Sequence, residues 1–238
     1  MIHIKKGQVS MAEYIKEDIS NVGHLKDPMI YSLNSGKRIR ALIAAKEAGL
    51  AVEYIHTGLQ VMFDMIQQNE TRRKVPALHI KYGTVTASMV ANLLLLRGLR
   101  YLSSFKVLVV TEITRLTENV IMDMNVLNLN LNLHLPPRAV MTQLRERVGL
   151  PFVIAFLTDL KDVNQDVIHD VKDIGESYGF CYYLANAPRE LNAAATDSEL
   201  FTENMTRAVT GFSRLKLWTP ILRELTSYIL AKFEKNNV

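Results

Sequence analysis

A short basic segment contains the first side chains whose spacing suggests chemistry. Lys37 and Arg40, in Ser35-Gly36-Lys37-Arg38-Ile39-Arg40, are three positions apart and would share one face of a helix. At a helix start, the free backbone N–H groups and the helix dipole favour a bound phosphate. The pattern therefore predicts a phosphate site at a helix N-terminus. A solvated basic helix start is the alternative, because so short a motif is weak by itself.

Further along the chain, His56, Arg72 and Arg73 could also bind phosphate. Arginine has a planar fork of N–H donors that binds phosphate oxygens in pairs. The alternative for the two arginines is a solvated turn before Pro76. The alternative for His56, which lies on an otherwise apolar face, is a core histidine bonded to a neighbouring helix.

Helices are the elements predicted to position these side chains. Between Glu13 and Leu116, apolar residues recur every three or four positions, as they do from Ile43 to Ile55. No β–α alternation is present. We therefore expect an all-α bundle of about eight to ten helices, punctuated at these sites: Pro76, the Gly83 region, Pro136-Pro137 and Pro151.

One segment departs from the helical pattern. From Leu127 to Leu135, leucine alternates with asparagine or histidine, which is a period of two. An isolated strand would have no partner among helical neighbours. We expect an irregular helix or a short extended piece before Pro136.

Composition limits the class of protein. The chain has 238 residues, of which 48% are hydrophobic, so it can bury one substantial core, and we expect a single domain over residues 1–238. The net charge of +4 comes from scattered basic residues, so we expect no nucleic-acid partner.

The most apolar stretch, Val85 to Leu96, is too short to cross a bilayer, so we expect a core helix and no transmembrane segment. The single Cys181 and the lack of an apolar signal region predict a cytoplasmic location.

Three motifs in order carry a resemblance to a known family. They are Gly36-Lys37-Arg38-Ile39-Arg40, Ala51-Val52-Glu53-Tyr54-Ile55-His56 and Arg72-Arg73-Lys74-Val75-Pro76-Ala77-Leu78-His79-Ile80-Lys81-Tyr82-Gly83. Their spacing resembles that of the trans-prenyltransferase (isoprenyl or polyprenyl diphosphate synthase) family, from about Leu33 to Gly83 and more weakly to about Glu190. The resemblance implies a helical bundle of the isoprenoid synthase type around a central cavity.

The resemblance also implies roles for the basic residues. Lys37, Arg40, His56 and Arg73 correspond to residues that bind isopentenyl diphosphate, and Arg72 to a residue that binds the allylic diphosphate. In this family, Mg²⁺ held by two Asp-Asp-x-x-Asp motifs lets the allylic diphosphate leave, and Mg²⁺ prefers oxygen ligands.

The first of those aspartate motifs aligns with Phe63-Asp64-Met65-Ile66-Gln67, where Asp64 alone is acidic. Phe63 and Gln67 cannot supply a charge to a metal. Glu70 is a conceivable substitute, but we expect it to be a solvated helix residue.

The second aspartate motif is also altered. Asn186, Ala187 and Glu190 stand where three aspartates would be, with Arg189 beside them, and Pro188 is predicted to kink or end the helix. Arg147-Val148 occupies the position of a Lys-Thr pair that contacts the allylic diphosphate. The segment 191–200 lacks Lys and Arg, so we expect a shortened C-terminal part.

A degenerate member of the family is therefore the leading interpretation. It implies a pseudoenzyme that acts by binding, as a structural or regulatory subunit of a homodimer or heterodimer, with isopentenyl diphosphate as a ligand. We expect no catalytic residue, no metal site and no cofactor, with Mg²⁺ only if residual activity exists. The remnants of the family's site would be Asp64, Arg147 and Glu190.

Two other functions stay open. One is an active isoprenoid-processing enzyme with a remodelled, metal-poor site, in which Arg147 and Arg189 take over part of the metal's charge. The other is a helical protein-interaction module without a ligand. Family members are typically dimers, and Val85 to Leu96 resembles part of their interface, although plain core explains that stretch equally well.

Overall fold

Ten α-helices make up most of the part of the chain that the structure, a computed structural model, describes. That part comprises residues 2–34, 38–130, 137–186 and 198–237. The helices are α1 (Ile2–Asp18), α2 (Lys26–Asn34), α3 (Lys46–Ile66), α4 (Leu78–Tyr82), α5 (Thr84–Leu102), α6 (Val107–Asn130), α7 (Pro137–Asp159), α8 (Gln165–Asn186), α9 (Ser198–Arg214) and α10 (Pro220–Asn237). Short 3₁₀ turns at Gly23–Leu25 and Ala41–Ile43 and the strands β1 (Thr71–Arg72) and β2 (Val75–Pro76) complete the fold. The prediction of an all-α fold with eight to ten helices is confirmed.

Helix α3 lies at the centre of the bundle. It packs along α5 on one side and contacts α7 on another. Nearly every residue from Ala48 to Leu59 is buried, as expected for a helix that is apolar on all sides. His56 is the exception in this run, with partial exposure. The residue therefore lies on the one side of the central helix that is not covered by core.

Helices α7 and α8 form a second, closely packed pair. A Cβ atom on Gly179 would lie 2.6 Å from the Cα of Gly149, so the two backbones meet where neither residue has a side chain. Aromatic rings extend the contact: Phe152 and Tyr178 have ring centroids 5.3 Å apart, and Tyr178 and Phe212 of α9 4.9 Å. The glycine contact fixes how the residues on either side of it face each other.

Several local predictions were wrong. Arg40 does not begin an α-helix, because it precedes the 3₁₀ turn Ala41–Ile43, and extended backbone at Ala44 (ψ 165°) delays α3 until Lys46. Glu70 is exposed, as expected, but it lies beyond the end of α3. Pro151 lies inside α7 and does not interrupt it.

The segment with a period of two is helical where it is described. Helix α6 continues through Asn130, and residues 131–136 lie outside the described part of the chain. The first four residues of the alternation, 127–130, therefore extend a helix, in keeping with its helical neighbours.

The stretch from Val85 to Leu96 is only partly core. Val90, Ala91 and Leu94 are buried. On the other side of α5, Val85 is 75% exposed, Met89 44% and Leu96 65%. Among the helices described, none is long and apolar enough to cross a membrane.

Candidate functional site

A large basic cavity lies beside His56. It has a volume of about 590 Å³ and is enclosed by α3, the β1–β2 hairpin, α7, α8 and α10. Its walls carry six cationic side chains, and none of the described residues that line it is a carboxylate. These cations are Arg40, Arg72, Arg73, Lys74, Arg147 and Lys232. Four of the six were predicted from sequence as diphosphate-binding or remnant site residues, so the fold brings those four together.

Arg40 and His56 form a contact in the cavity wall. The guanidinium carbon of Arg40 lies 4.8 Å from the ring centre of Tyr182, and Nη1 donates to Nε2 of His56 at 3.0 Å. Burial and the cations Arg40 and Arg72 lower the pKa of His56 well below its usual range. The imidazole is therefore neutral near pH 7, and its Nε2 can accept a hydrogen bond from the guanidinium group of Arg40. His56 belongs to the cavity and not to the apolar core.

Asp64 is tied to Arg72 by a two-pronged ion pair. Arg72 donates from Nε to Oδ2 and from Nη2 to Oδ1, the latter at 2.6 Å. Asn69 donates to the same Oδ1 at 2.9 Å, and Asp64 is only 3% exposed. Three hydrogen bonds from two neighbouring side chains therefore hold the carboxylate in place. Arg72, predicted to bind a diphosphate, has two of its five donors engaged in this pair.

The hairpin places the next two cations at the cavity. Arg72 pairs with Val75, so the loop between the strands is Arg73-Lys74. Both loop residues have positive φ, 52° and 69°, as a type I′ turn requires. This conformation costs a non-glycine residue roughly 1–2 kcal/mol. Such strain is common where side chains must point into a functional site.

Arg147 lies opposite α3 and stacks on Phe63. Its guanidinium carbon is 3.9 Å from the centre of the Phe63 ring, a cation–π contact. Among the described residues, its Nη1 has no hydrogen-bond partner. Phe63, which the resemblance implied to stand in place of a metal-binding aspartate, therefore contacts a cation here. Val148 lines the cavity next to it.

The C-terminal end of α8 is also occupied by a cation. Asn186 donates from Nδ2 to the carbonyl of Tyr182 at 2.7 Å, and its Oδ1 accepts from Lys232 at 2.5 Å and from Tyr228 at 3.3 Å. The resemblance implied that Asn186 stands in place of an aspartate of the second family motif. Lys232 lies in α10, far along the chain, and no motif in the sequence indicated it.

Five of the residues considered for the site by their side chains lie outside the described part of the chain: Lys37, Ala187, Pro188, Arg189 and Glu190. The structure therefore does not place the predicted partner of Arg40 or the last remnant of the second motif. Helix α8, as described, extends to Asn186.

A smaller cavity of about 50 Å³ adjoins the basic one across His56 and Gln60. It contains Glu53 and Asp64. Burial raises the pKa of Glu53, although the nearby cations Arg38, Arg40 and Arg73 oppose that shift. The carboxylates of Glu53 and Asp64 therefore line the smaller, adjoining cavity, where arginine side chains are their neighbours.

Comparison with known proteins identifies the family. The family model described as polyprenyl synthetase matches residues 22–185, which is more than half of the chain. The chain belongs to the polyprenyl synthetase family. This confirms the resemblance to trans-prenyltransferases.

A curated relative matches over a shorter stretch. Geranylgeranyl diphosphate synthase from Sulfolobus acidocaldarius is 37% identical over 71 residues, which are 28% of this chain and 20% of that protein. The chain thus matches about a fifth of the length of this relative.

Solved structures of the family share the whole fold. The geranylgeranyl pyrophosphate synthetase from the archaeon Geoglobus acetivorans has a TM-score of 0.79 at 16% identity, covering 97% of this chain and 99% of that one. The geranyltransferase from Legionella pneumophila has a TM-score of 0.77 at 15% identity, covering 99% and 97%. At such low identity the likeness establishes the isoprenoid-synthase type of fold and nothing finer.

The residues around the basic cavity do not fit the magnesium ions that the family resemblance implies. Mg²⁺ binds through carboxylates and substrate phosphates. The described lining offers cations, Gln60 and Asn186, while Asp64 is paired with Arg72. Within the described residues, no three His, Cys, Asp or Glu side chains gather as a metal-binding group.

Proposed function

We propose that this chain is a catalytically inactive polyprenyl synthetase that acts by binding, as a structural or regulatory subunit of a homodimer or heterodimer. The ion pair between Asp64 and Arg72 carries the proposal. Asp64 is the acidic residue left in the segment that the resemblance assigns to the first aspartate motif, and its buried carboxylate is held in a two-pronged pair by the half-buried Arg72. Recruiting this carboxylate to a metal would leave Arg72 without its partner.

The second family motif supports the same function. Departure of an allylic diphosphate needs its growing negative charge to be stabilised at the moment the bond breaks. Asn186 is neutral and already holds Lys232. The metal-dependent half of the reaction therefore lacks its ligands at both described positions.

A second function, a metal-poor enzyme, is favoured by one observation. Arg147 and Lys232 line the same cavity and could stabilise a leaving diphosphate without a metal. This alternative predicts turnover, whereas the pseudoenzyme predicts binding alone.

The exposed apolar side of α5 supports a subunit role. Val85, Met89 and Leu96 recur at helical spacing on one side, and large exposed apolar patches often mark interaction sites. A ligand-free interaction module would use the same surface but would leave the basic cavity without a role.

The deciding assay is product formation. The purified chain is mixed with isopentenyl diphosphate, an allylic diphosphate and Mg²⁺, at protein concentrations close to those of the substrates. We expect no prenyl product and no released diphosphate above a protein-free blank, while an active family member run in parallel gives both. Product that disappears in Arg147→Met would instead establish the metal-poor enzyme.

Partner identity requires a separate experiment. The chain is purified from its native cell under mild conditions, and the proteins that accompany it are identified by mass spectrometry. Recovery of a catalytic prenyltransferase supports the heteromeric subunit, and recovery of the chain with itself supports the homodimer.

A further inference from the structure

We propose that the chain has a second, gated route into the basic cavity, which runs between α2 and the β1–β2 hairpin and is closed by the side chain of Tyr31. Water and small uncharged molecules are the solutes that fit this route. It would serve the cavity whether or not the chain turns over a substrate, and its test does not depend on product formation.

Three neighbouring cavities define the route. An open groove of about 430 Å³ lies against α2 and shares Tyr31 and Val75 with the smaller cavity of about 50 Å³. The smaller cavity in turn shares four described lining residues with the basic cavity: His56, Gln60, Arg72 and Arg73. The three spaces therefore form one series from the surface groove to the basic cavity, and the smaller cavity is its narrow middle section.

The middle section limits what can pass. Its volume of about 50 Å³ leaves room for roughly a few water molecules, whereas the basic cavity has about 590 Å³. The walls combine the apolar side chains of Val61 and Leu78 with the hydroxyl groups of Ser32 and Thr57. A lining of this kind accepts water and small uncharged molecules.

Tyr31 separates the middle section from the groove. Its hydroxyl donates to the backbone carbonyl of Pro76 at 2.7 Å, which joins α2 to β2. The ring packs edge-on against Tyr82, with centroids 5.5 Å apart, and the ammonium group of Lys81 lies 3.9 Å from the Tyr31 ring centre. These contacts keep the ring between the two spaces, so Tyr31 is the gate.

The gate can open without movement of the hairpin. Strand β1 is held to α3 by the charged hydrogen bonds between Arg72 and Asp64, whereas β2 is joined to α2 by the neutral bond from Tyr31 to Pro76. Charged hydrogen bonds are stronger than neutral ones, so the contact of Tyr31 breaks first. Exposed side chains change rotamer within nanoseconds. Rotation of the Tyr31 ring therefore opens the groove to the middle section.

The test is the rate at which a thiol in the middle section is alkylated by iodoacetamide, a small uncharged reagent. Val61 is 5% exposed and lines the smaller cavity, so Val61→Cys places the thiol there. The native Cys181 is buried, and burial raises its thiol pKa to about 12, so it reacts slowly. Mass spectrometry of the full chain measures the labelling.

Tyr31→Phe, added to Val61→Cys, is expected to accelerate labelling about fivefold. The substitution keeps the ring and removes the hydroxyl, so the gate loses one neutral hydrogen bond. Gln60→Cys, where the smaller and basic cavities meet, is expected to gain rate as well. Its gain is smaller, because the reagent also reaches it through the basic cavity.

Two matched variants separate the gate from general loosening of the fold. Tyr14→Phe removes the hydroxyl of another tyrosine with a lysine over its ring, Lys46 at 3.8 Å, and is expected to leave the labelling of Val61→Cys unchanged. Ala208→Cys, fully buried on α9, is expected to label at the same rate with and without Tyr31→Phe. Urea unfolding shows that each variant is folded.

Four results would overturn the gated route. They are an unchanged rate for Val61→Cys after Tyr31→Phe, an equal gain from Tyr14→Phe, an equal gain at Ala208→Cys, and no gain at Gln60→Cys. The last of these results would mean that the middle section is closed toward the basic cavity. None of the four alters the outcome of the product assay, so the route and the pseudoenzyme function can fail separately.

Discussion

At the scale of single residues, Asp18 gathers side chains from two other helices onto the end of α1. Its carboxylate accepts from Tyr54 of α3 at 2.7 Å and from Arg97, Tyr101 and Arg100 of α5 at 2.5, 2.5 and 3.3 Å. Arg97 also donates to the backbone carbonyl of Asp18 at 2.9 Å. The Asp18 side chain is only 13% exposed, so these bonds are largely shielded from water.

The Asp18 contacts predict how stability depends on pH. Burial acts to raise the pKa of Asp18, but hydrogen bonds from Tyr101, Tyr54 and Arg97 together outweigh it and hold the pKa below its usual value. The stabilisation is therefore complete above the unfolded-state pKa of about 3.9 and is lost as the pH falls through the lower folded-state value.

We expect Asp18→Asn to reduce the free energy of unfolding by about 1–3 kcal/mol at pH 7, because buried donors lose a charged acceptor. The difference from the unmodified chain should shrink as the pH falls below about 4. Urea unfolding at a series of pH values measures both effects. Asp162→Asn, at a fully exposed position, is the control. A constant difference between pH 7 and pH 2 would contradict this account.

Sequence patterns did not indicate Asp18, although they indicated much of the basic cavity. Arg40, His56, Arg72 and Arg73 belong to short motifs with fixed spacing, so a resemblance could assign them a role. Asp18 belongs to no motif and lies 79 positions from Arg97, and although Tyr54 is part of a motif, that motif's spacing gives no indication of Asp18. Lys232 was missed for the same reason: its contact with Asn186 exists only after α10 packs against α8.

At the scale of elements, a close approach of α7 to α8 at Gly179 positions one wall of the cavity. A Cβ on Gly179 would lie 2.6 Å from both the Cα of Gly149 and the carbonyl oxygen of Val148. These backbone atoms cannot move aside without separating the helices. Arg147 and Tyr182 lie close by on the same two helices, so their spacing across the cavity depends on this contact.

Gly179→Ala is therefore expected to destabilise the chain. In an unhindered helix, alanine is favoured over glycine by about 1 kcal/mol, so a merely helical position would become more stable. Overpacking against α7 should reverse this and give a net loss of about 1–3 kcal/mol in the free energy of unfolding. The measurement is urea unfolding, with His169→Ala at an exposed position of α8 as the control. A gain in stability for Gly179→Ala would mean that the helices separate easily.

The hairpin is an element that periodicity could not predict. Its strands have two residues each, and its loop residues, Arg73 and Lys74, are not the residues usually found at positive φ. Tertiary contacts outweigh the local preference: Arg72 is anchored on Asp64, and Ala77 donates to the carbonyl of Glu70 at 2.9 Å. The turn that was the alternative interpretation of Arg72 and Arg73 is thus a hairpin loop, exposed at Arg73 and Lys74 and strained at both.

At the scale of the whole molecule, α5 has apolar side chains both on the side that packs in the core and on the side that is exposed to solvent. Val90, Ala91 and Leu94 face the core, and Val85, Met89 and Leu96 face outward. A helix that is apolar on both sides within a bundle is expected to be covered on its outer side by another chain.

This surface predicts self-association or association with a family member. We expect the chain to sediment as a dimer at micromolar concentration and Leu96→Glu to shift it toward monomer without loss of helical content. Leu230→Glu, on α10, introduces the same charge at another exposed leucine and should leave the dimer intact. Equal effects of the two substitutions would contradict an interface on α5. If the unmodified chain is already a monomer, the same pair of variants tests binding to the co-purified partner.

The overall fold was predictable because helical periodicity extends from Glu13 to Leu116 and no β–α alternation interrupts it. The three motifs between Leu33 and Gly83 were sufficient to indicate the family. Membership of the family then implied how the helices are arranged. The wall of the cavity that α7, α8 and α10 form was less predictable. Lys232 contacts Asn186, and Arg147 contacts Phe63, only because distant helices pack together. The spacing of residues along the chain does not predict those contacts.

The cations around this cavity also limit how it could be redesigned. An aspartate introduced at Phe63 would meet the guanidinium group of Arg147, and one introduced at Asn186 would meet the ammonium group of Lys232. Each new carboxylate would be neutralised by a resident cation before it could attract Mg²⁺. Single substitutions toward a metal site therefore yield no intermediate that binds metal, and a successful redesign must remove a cation in the same step in which it adds an aspartate.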